Sequence, residues 1–369
     1  MSSKPTALGA HVFAGGFTLG LLDKFEIKAH YEQLKLASEH AIHNFDFPVE
    51  IMPEMEDWPL PRGIDFLFGN PPCHGFSAIN MTVKTKDRVN YRDNVYMENF
   101  VKYSIALRPK VACFEMVCGL MNAGAVLLDR FIKEWNEAGY STTIVKVAAM
   151  NHGIPQLRRR IFVVAHKIKM PDTPAITTPN DVVVADAISD LENQPEGDEP
   201  TKYATRAQTP LQRELRRGNR KVHNHVWAES KWDPFLHLLE PGSNLATLPT
   251  KILDKHFRGK DKRERGVSPP GSFLFKTSPT RRAGVIGGQP GQFHYLHNRM
   301  ISVRESARIM GYPDWFEFVG TSLGKKYAGI GKAVSPKVTA WLGEWVHEAL
   351  NPSRQKRVVT NEFVDRTKG

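Results

Sequence analysis

A cysteine that follows two prolines at the end of an apolar run is the first residue in this chain to suggest covalent chemistry. In IDFLFGNPPCHGFS (64–77) a buried-strand pattern runs into Gly69, Asn70, Pro71 and Pro72, and then Cys73. Ligands of open parallel sheets bind beyond the carboxyl ends of the strands, so this thiol is carried to where chemistry happens. A lone cysteine is commonly a small buried hydrophobe. One presented on a stiff Pro-Pro loop is equally a candidate nucleophile. The next apolar run, KVACFEMV (110–117), contains Glu115. A carboxylate inside a buried strand must be paired or functional, because an unpaired one is costly. Further on, NHGIPQLRRRIFVVA (151–165) sets Gln156, Arg158 and Arg160 at alternate positions. Period-two spacing sends all three to one face of a strand, where guanidinium groups suit phosphate or carbonyl oxygens. A solvated basic edge strand would show the same spacing, but RIFVVA is too apolar for an exposed edge. The remaining cysteines, Cys113 and Cys118, flank Glu115 and read as packing residues. With no CxxC pair, neither a disulfide framework nor a cysteine zinc site is expected.

The elements that must hold these residues follow from periodicity. HVFAG, IDFLFG, KVACFEMV, TTIVKVAAM and RIFVVAH read as strands buried on both faces, and FEIKAHY as a further strand. Between them ASEHAIHNF, MENFVKYSIAL and AGAVLLDRFIKEWNEAG carry apolar residues at helical spacing. Such alternation predicts an α/β doubly wound, Rossmann-like sheet with crossover helices. After residue 167 the pattern gives way to Pro-, Gly- and Thr-rich stretches such as DTPAITTPNDVVV and VSPPGSF. A smaller, loop-rich domain over 168–290 is therefore expected to be inserted into a catalytic domain formed by 1–167 and 291–350. SVRESARIMG and SPKVTAWLGEWVHEALN restore helical periodicity, and 351–369 reads as a polar tail.

Composition narrows the partners. The 369 residues are 41% hydrophobic and 24% charged, ordinary globular usage. No apolar run approaches the roughly 20 residues of a membrane span, and the N-terminus lacks the layout of a signal peptide. A cytoplasmic protein with no membrane partner is expected. The net charge of +11 favours a polyanion. Much of it is local: 202–265 holds fifteen Lys and Arg against seven Asp and Glu, a net +8. A solvated loop region would account for that equally well.

Seven motifs, in order and at matching spacing, resemble those of the cytosine carbon-5 DNA methyltransferases, and the resemblance covers nearly the whole chain. FAGGFTLGL (13–21) resembles the cofactor loop, PPCHGFS (71–77) the nucleophile loop, FEMV (114–117) the Glu-Asn-Val motif and QLRRR (156–160) the Gln-x-Arg-x-Arg motif. PGSNLATLP and SPT (278–280) resemble the recognition region, RMISVRESARIMGYP (299–313) the helix after it, and GKAVSP (331–336) the closing cofactor motif. The resemblance implies that Cys73 attacks carbon 6 of a flipped-out cytosine, since a stacked base hides its ring faces. Glu115 would hold the ring nitrogen and amino group, Arg158 the base carbonyl oxygen, and Arg160 would support the site. It implies S-adenosylmethionine as donor, with Phe13, Ala14, Gly15, Gly16, Glu32, Gln33, Asn70, Pro71, Lys332 and Ala333 around it. Glu32, twelve residues before Asn44, would bind the ribose hydroxyls, and Glu50 is the candidate third acid. The partner would be double-stranded DNA, met by a monomer through Ser77, Gln156, Arg216, Arg217 and Arg220.

The chain departs from the family pattern in three places. Two residues are missing between FAG and GF, Met116 stands where an asparagine follows the glutamate, and Lys332 replaces the asparagine of the closing motif. These departures admit a second reading, the same covalent cytosine chemistry with methylene-tetrahydrofolate as donor and a hydroxymethyl product. The charge of Lys332 would suit either the carboxylate of S-adenosylmethionine or the glutamate tail of a folate. A catalytically inactive DNA-binding protein is the alternative from another class, and the presence of Cys73, Glu115 and Arg158 together speaks against it.

Overall fold

The computed structural model describes residues 3–33, 35, 38–72, 74–76, 89–178, 180–256, 274–284, 291–320 and 322–352. Its centre is a seven-stranded sheet of β1 (Thr6–Ala10), β2 (Glu26–Glu32), β3 (Val49–Ile51), β4 (Phe66–Gly69), β5 (Val111–Val117), β6 (Ser141–Ala148) and β7 (Arg159–His166). The order across the sheet is β3-β2-β1-β4-β5-β7-β6. The five strands from β3 to β5 run parallel, whereas β7 is antiparallel to both of its neighbours, β5 and β6. The sheet is therefore mixed, and the Rossmann-like α/β class is as expected.

Helices cover both faces. Residues of β1, β4, β5 and β7 alternate between two apolar clusters until Met116 and Val117, which both join the first. Leu8, Leu67, Ala112 and Ile161 face one, and Ala7, Phe66, Val111 and Phe162 face the other. The first cluster includes side chains from α3 (Val95–Leu107) and α4 (Ala125–Glu137). The second lies under α1 (Gly16–Leu19) and α10 (Pro336–Leu350), which pack together. Burial on both faces is why β4, β5 and β7 read as continuous apolar runs rather than as alternating ones.

The first strand differs from expectation. HVFAG forms no strand; β1 is TALGA, five residues earlier. His11 and Phe13 take positive φ values of 57° and 65°, in the left-handed region. The N–H groups of Val12 and Phe13 donate to the Glu32 carboxylate instead of to a neighbouring strand. Helix α2 (Ser38–Asn44) lies within the expected stretch. Helix α9 (Leu323–Lys332) was not foreseen, because its three glycines mask the periodicity of Lys326, Tyr327 and Ile330.

Short elements make up the inserted segment: α5 (Val184–Ile188), β8 (Thr201–Lys202), α6 (Pro210–Leu215), β9 (Lys221–Val222), α7 (Thr250–His256) and β10 (Phe275–Lys276). Its packing is divided. The 184–215 part shares a core with α8 (Val303–Ile309), through Val184, Ile188 and Leu215 against Val303, Ala307 and Ile309. A second core around Trp232, Leu236 and Leu245 is completed by Met300 and by Phe293 of β11 (Gln292–Phe293). The entering strand of chain is pinned to α10, where the indole N–H groups of Trp341 and Trp345 donate to the Pro174 and Pro171 carbonyls. Among the described residues no helix is long and apolar enough to cross a membrane. The tail from 353 onward lies outside the described residues.

Insert and catalytic halves are also joined by buried charge. Arg308, fully buried, donates to Asp314 at 2.9 and 2.6 Å and to Asp190 at 2.5 Å. Asp190 also pairs with Arg216, whose guanidinium lies 3.7 Å from the centre of the Tyr203 ring. Removing one member of such a cluster leaves the others charged in a medium that cannot solvate them. Arg308→Ala should therefore cost about 3–5 kcal/mol, read as a lower urea midpoint. Lys133→Ala, which breaks an exposed i,i+4 pair with Glu137, should leave the midpoint where it is. Equal midpoints for the two variants would remove this cluster from the account of how the halves are held.

Candidate active site

The carboxyl ends of β1, β4 and β5 point to one place. Strand β4 ends at Gly69, where a Cβ would lie 1.9 Å from the Ala10 carbonyl oxygen, so only glycine lets β4 approach β1 this closely. Asn70 follows, its N–H donating to the His11 carbonyl and its Nδ2 to the Lys332 carbonyl at 3.2 Å. Cys73 and Ser77 lie outside the described residues. The turn between them, His74–Phe76, is seated under the chain after β5, since a Cβ on Gly119 would meet the Phe76 carbonyl oxygen at 2.2 Å. The segment bearing Cys73 is thus anchored just before the cysteine by Asn70 and just after it by Phe76.

Glu115 projects from β5 and is 4% exposed. In the β5–β7 register Val117 lies opposite Arg160 and Glu115 opposite Phe162, so Arg160 is the diagonal neighbour of Glu115 on the same face. Their Nε–Oε1 separation is 2.8 Å. The pair lines a small pocket together with Arg158, Phe162, Val147 and Ser335. Arg158 and Arg160 line the same pocket, and Gln156 does not, but their partners depart from the sequence reading. Both terminal nitrogens of Arg158 are committed to backbone, Nη1 to the Gly331 carbonyl and Nη2 to the Ala333 carbonyl, each at 2.9 Å. Arg158 was expected on the base carbonyl and Arg160 in support. In the structure Arg160 stands at the acid and Arg158 holds the chain after α9. Gln156, expected among the DNA contacts, is fully buried where the insert rejoins, with its neighbour's N–H (Leu157) donating to the Ala283 carbonyl. Neither atom of its carboxamide has a hydrogen-bond partner among the described residues. Cys113 is packed inside β5, and burial pushes its thiol well up, which makes it a poor nucleophile.

The opposite wall is the loop from His11 to Gly16. Ala14 is buried and Phe13 nearly so. Gly15 has φ 83°, and a side chain there would strike Phe45, while one on Gly16 would sit 2.2 Å from the Val334 carbonyl oxygen. Only glycines allow this loop to lie against the closing motif. Glu32, 2% exposed, accepts from the Val12 and Phe13 N–H groups at 2.6 and 3.0 Å. Burial outweighs the pull of these two amides and raises its carboxyl to about 8. Gln33 has its amide spent as a latch, donating to the Pro53 carbonyl and accepting from Asn99 of α3. Pro71 is buried beside Asn70, whose Oδ1 is enclosed with no hydrogen-bond partner. Lys332, the last residue of α9, places its ammonium 5.4 Å from the centre of the Phe13 ring, and Ala333 behind it is buried. Glu50 is exposed on β3.

Two residues here escaped the sequence reading. His11 is buried, with its ring against Trp58 and Tyr96 at 5.1 and 5.6 Å and its Nε2 unpartnered. Burial lowers its pKa to about 3, so the ring stays neutral. A histidine immediately after an apolar strand was the available signal. Tyr312, within IMGYP, is fully buried with an unpartnered hydroxyl beside Gly16.

On the insert, the three arginines proposed for DNA separate. Arg216 is the inward member, held by Asp190, Tyr203 and the Thr205 carbonyl, and so is a structural residue. Arg217 and Arg220 are exposed.

Comparison with known proteins accords with this arrangement. The family model for C-5 cytosine-specific DNA methylases matches residues 12–347. A type II methyltransferase of Desulfomicrobium norvegicum, M.DdeI, is 26% identical over 339 residues, covering 82% of this chain and 78% of its own. M.XorII of Xanthomonas oryzae is 28% identical over 326 residues, covering 80% and 70%. Among solved structures, a prophage-encoded E. coli protein superposes with a TM-score of 0.69 at 19% identity, over 94% of this chain and all of that one. The S. pombe Dnmt2 methyltransferase gives a TM-score of 0.54 at 14% identity, over 96% of this chain and all of its own. With the matched model running from the Phe13 loop through Glu115 and Arg160 to α10, the chain belongs to the family of C-5 cytosine-specific DNA methylases.

Proposed function

We propose that this protein methylates carbon 5 of a flipped-out cytosine in double-stranded DNA, using S-adenosylmethionine and a covalent adduct through Cys73. The observation that carries the reading is the Glu115–Arg160 pair, a buried carboxylate with its cation lining a pocket next to the strand end that leads to Cys73. Glu115 would accept from the exocyclic amino group of cytosine and, carrying a proton, donate it to the ring nitrogen as the thiolate adds. Arg160 holds that carboxyl in place and brings N–H donors toward the base carbonyl, the part the sequence alone had given to Arg158. The Cys73 thiolate adds at carbon 6, and the electron pair at carbon 5 would take the methyl group as its bond to the donor's sulfonium sulfur breaks, leaving S-adenosylhomocysteine. Loss of the carbon-5 proton and expulsion of the thiolate restore the aromatic ring. A thiolate suits both ends of the cycle, being a good nucleophile and a good leaving group. Replacing Cys73 by alanine should abolish the denaturant-resistant adduct with DNA containing 5-fluorocytosine, and Cys118→Ser should retain it. The opposite pattern would reassign the nucleophile.

The donor wall fits an adenosine with an amino-acid tail. Phe13 presents an aromatic face, the Gly15–Gly16 turn permits close approach, and Asn70 Oδ1 is an enclosed acceptor still lacking a donor. S-adenosylmethionine would supply the electrophilic methyl group. Glu32 would accept from the ribose hydroxyls, and this has a titration signature. Without donor, its raised pKa means the folded state holds a proton that the unfolded state has lost, so stability from this group falls as pH rises from 4.5 toward 8. Hydroxyl donors would stabilise the carboxylate and lower its pKa. Binding at pH 7 should then release about 0.9 proton, seen as a calorimetric enthalpy that changes with buffer ionisation heat. Glu32→Gln should show no such dependence, and a buffer-independent enthalpy in the parent would reject the ribose role.

The insert would meet DNA. Arg217→Ser with Arg220→Ser should weaken binding to any duplex and flatten its salt dependence by about 1.8 in log–log slope. Arg216→Ser should instead lower thermal stability. If the double variant keeps the parent's slope, these side chains are simply solvated.

A further inference from the structure

We infer that Ser335 is a positioning residue of the reaction, acting on Glu115 through one water held in the cavity they share; the inference rests on the cytosine reading above. Ser335 is the N-cap of α10, where a serine hydroxyl ordinarily accepts from an amide of the first turn. Ser302 and Ser322 do so at the starts of α8 and α9, taking the Glu305 and Lys325 N–H groups. Ser335 does not. Its carbonyl receives the Val338 and Thr339 amides at 3.1 Å each, while its side chain makes no cap bond. The residue is 2% exposed, and its hydroxyl has no hydrogen-bond partner among the described residues. A hydroxyl withdrawn from the helix it begins and kept from bulk solvent needs a partner of another kind.

The cavity beside it supplies one. Ser335 lines it with Glu115, Arg160 and the apolar Val147, Phe162 and Val338. Glu115 Oε1 and Arg160 Nε are 2.8 Å apart, an ion-pair separation, yet each is buried without a directed hydrogen bond. Three residues bordering one space thus carry polar atoms of complementary kind: an N–H donor, a carboxyl acceptor and a hydroxyl that can be either. For the centre of a water-sized sphere that space is about 10 Å³, the room of a single water and too little for a pyrimidine ring. A water there accepts from Arg160 Nε–H and from the Ser335 hydroxyl and donates to Glu115 Oε1. Three bonds are the usual number for a buried water.

The consequence is for the proton. Glu115 must carry it on the oxygen that faces the ring nitrogen, give it up as the thiolate adds at carbon 6, and recover it as the thiolate leaves. In a protonated carboxyl the carbonyl oxygen accepts and the hydroxyl donates. A water donating to Oε1 makes that atom the carbonyl oxygen, free to accept from the exocyclic amino group as well, and leaves the proton to Oε2. Without the Ser335 hydroxyl the water loses an anchor, and the carboxyl loses its assignment.

The test uses the full chain and Ser335→Ala, which removes one buried oxygen and no cap. A crystal structure of the parent should show a water within about 3.2 Å of Ser335 Oγ, Arg160 Nε and Glu115 Oε1. In Ser335→Ala that water should be lost or displaced. With S-adenosylmethionine and duplex DNA containing 5-fluorocytosine, the alanine variant should form the covalent adduct about tenfold more slowly in a single turnover, the size of one buried hydrogen bond. Its affinity for the same duplex should match the parent's, which places the loss after binding and shows that the variant is folded. Ser335→Thr, which returns the hydroxyl, should regain most of the rate. A parent crystal without that water overturns the inference, as does an alanine variant that reacts at the parent's rate or a threonine variant no faster than alanine. Affinity lost in proportion to rate would make Ser335 a support of the binding face and overturn it too. A parent that forms no adduct overturns the cytosine reading itself, and the role of Ser335 with it; any of the other adverse results in an active parent overturns that role alone.

Discussion

Three consecutive backbone carbonyls, at Gly331, Lys332 and Ala333, each meet a side-chain donor from a distant part of the chain, and the geometry of the site depends on that. The donors are Arg158, which precedes β7, and Asn70, which follows β4. Carbonyls in the last turn of a helix and at its cap have no helical partner and must find one elsewhere. Here the requirement is met by the segments that lead to Cys73 and to Arg160. Asn70 lies three residues before Cys73, and Arg158 two residues before Arg160. The segment holding Lys332 against Phe13 is therefore tied directly to the segment that leads to Cys73 and to the Glu115–Arg160 pocket. A shift on one wall is felt on the other because guanidinium and carboxamide bonds are directional and buried, and neither water nor a second rotamer replaces them at low cost.

Glycine sets the distances over which this clamp works. Gly69 lets β4 close on β1, and Gly16 lets the cofactor loop lie on Val334. With side chains at these positions, Asn70 and Phe13 would be pushed away from residues 331–334. The left-handed His11 and Phe13, without glycine's freedom, are kept in place by the buried Glu32 carboxyl and its two amide donors. A carboxyl raised to about 8 is largely neutral at physiological pH. It can thus sit inside the sheet end without the full penalty of a buried charge, and still accept both amides.

What could be read from sequence divides along the range of the interactions concerned. Strands β4, β5 and β7 were legible because burial on both faces writes itself into consecutive apolar residues. That Arg158 and Arg160 line one pocket followed from period two alone. The start of the fold was misread because VFAG is as apolar as TALGA, and what denies it a ladder is Glu32, about twenty residues away. Helix α9 was hidden by its glycines, which are there to let neighbours close in; a side chain on Gly329 would strike His40. The division of labour between Arg158 and Arg160 could not be seen, since it depends on carbonyls some 170 residues downstream. Arg216 and Arg217 are adjacent and identical in sequence, and only Asp190, a distant partner, sends one of them inward.

That last distinction explains the surface charge of the insert. Its net positive charge is not spread evenly, because several of its carboxylates are paired with cations elsewhere in the fold. Asp190 is shared by Arg216 and Arg308, Asp198 pairs with Lys326, and Glu214 with Lys337. Lys202, Arg206, Arg213, Arg217, Arg220 and Lys221 are left exposed, and none has an acidic partner among the described residues. Lys202 and Lys221 even lie directly opposite each other on the β8–β9 ribbon, a placement that costs stability in isolation. Six unneutralised cations on one compact segment create a field that the net charge of the chain understates. Close to water their mutual repulsion is screened within about a Debye length. Against a phosphate backbone the same repulsion is relieved by the partner itself, with release of its condensed counterions. The excess of exposed cations on this segment thus originates in where its carboxylates are paired, buried Asp190 with Arg216 and Arg308, and the exposed Asp198 and Glu214 with lysines of other elements.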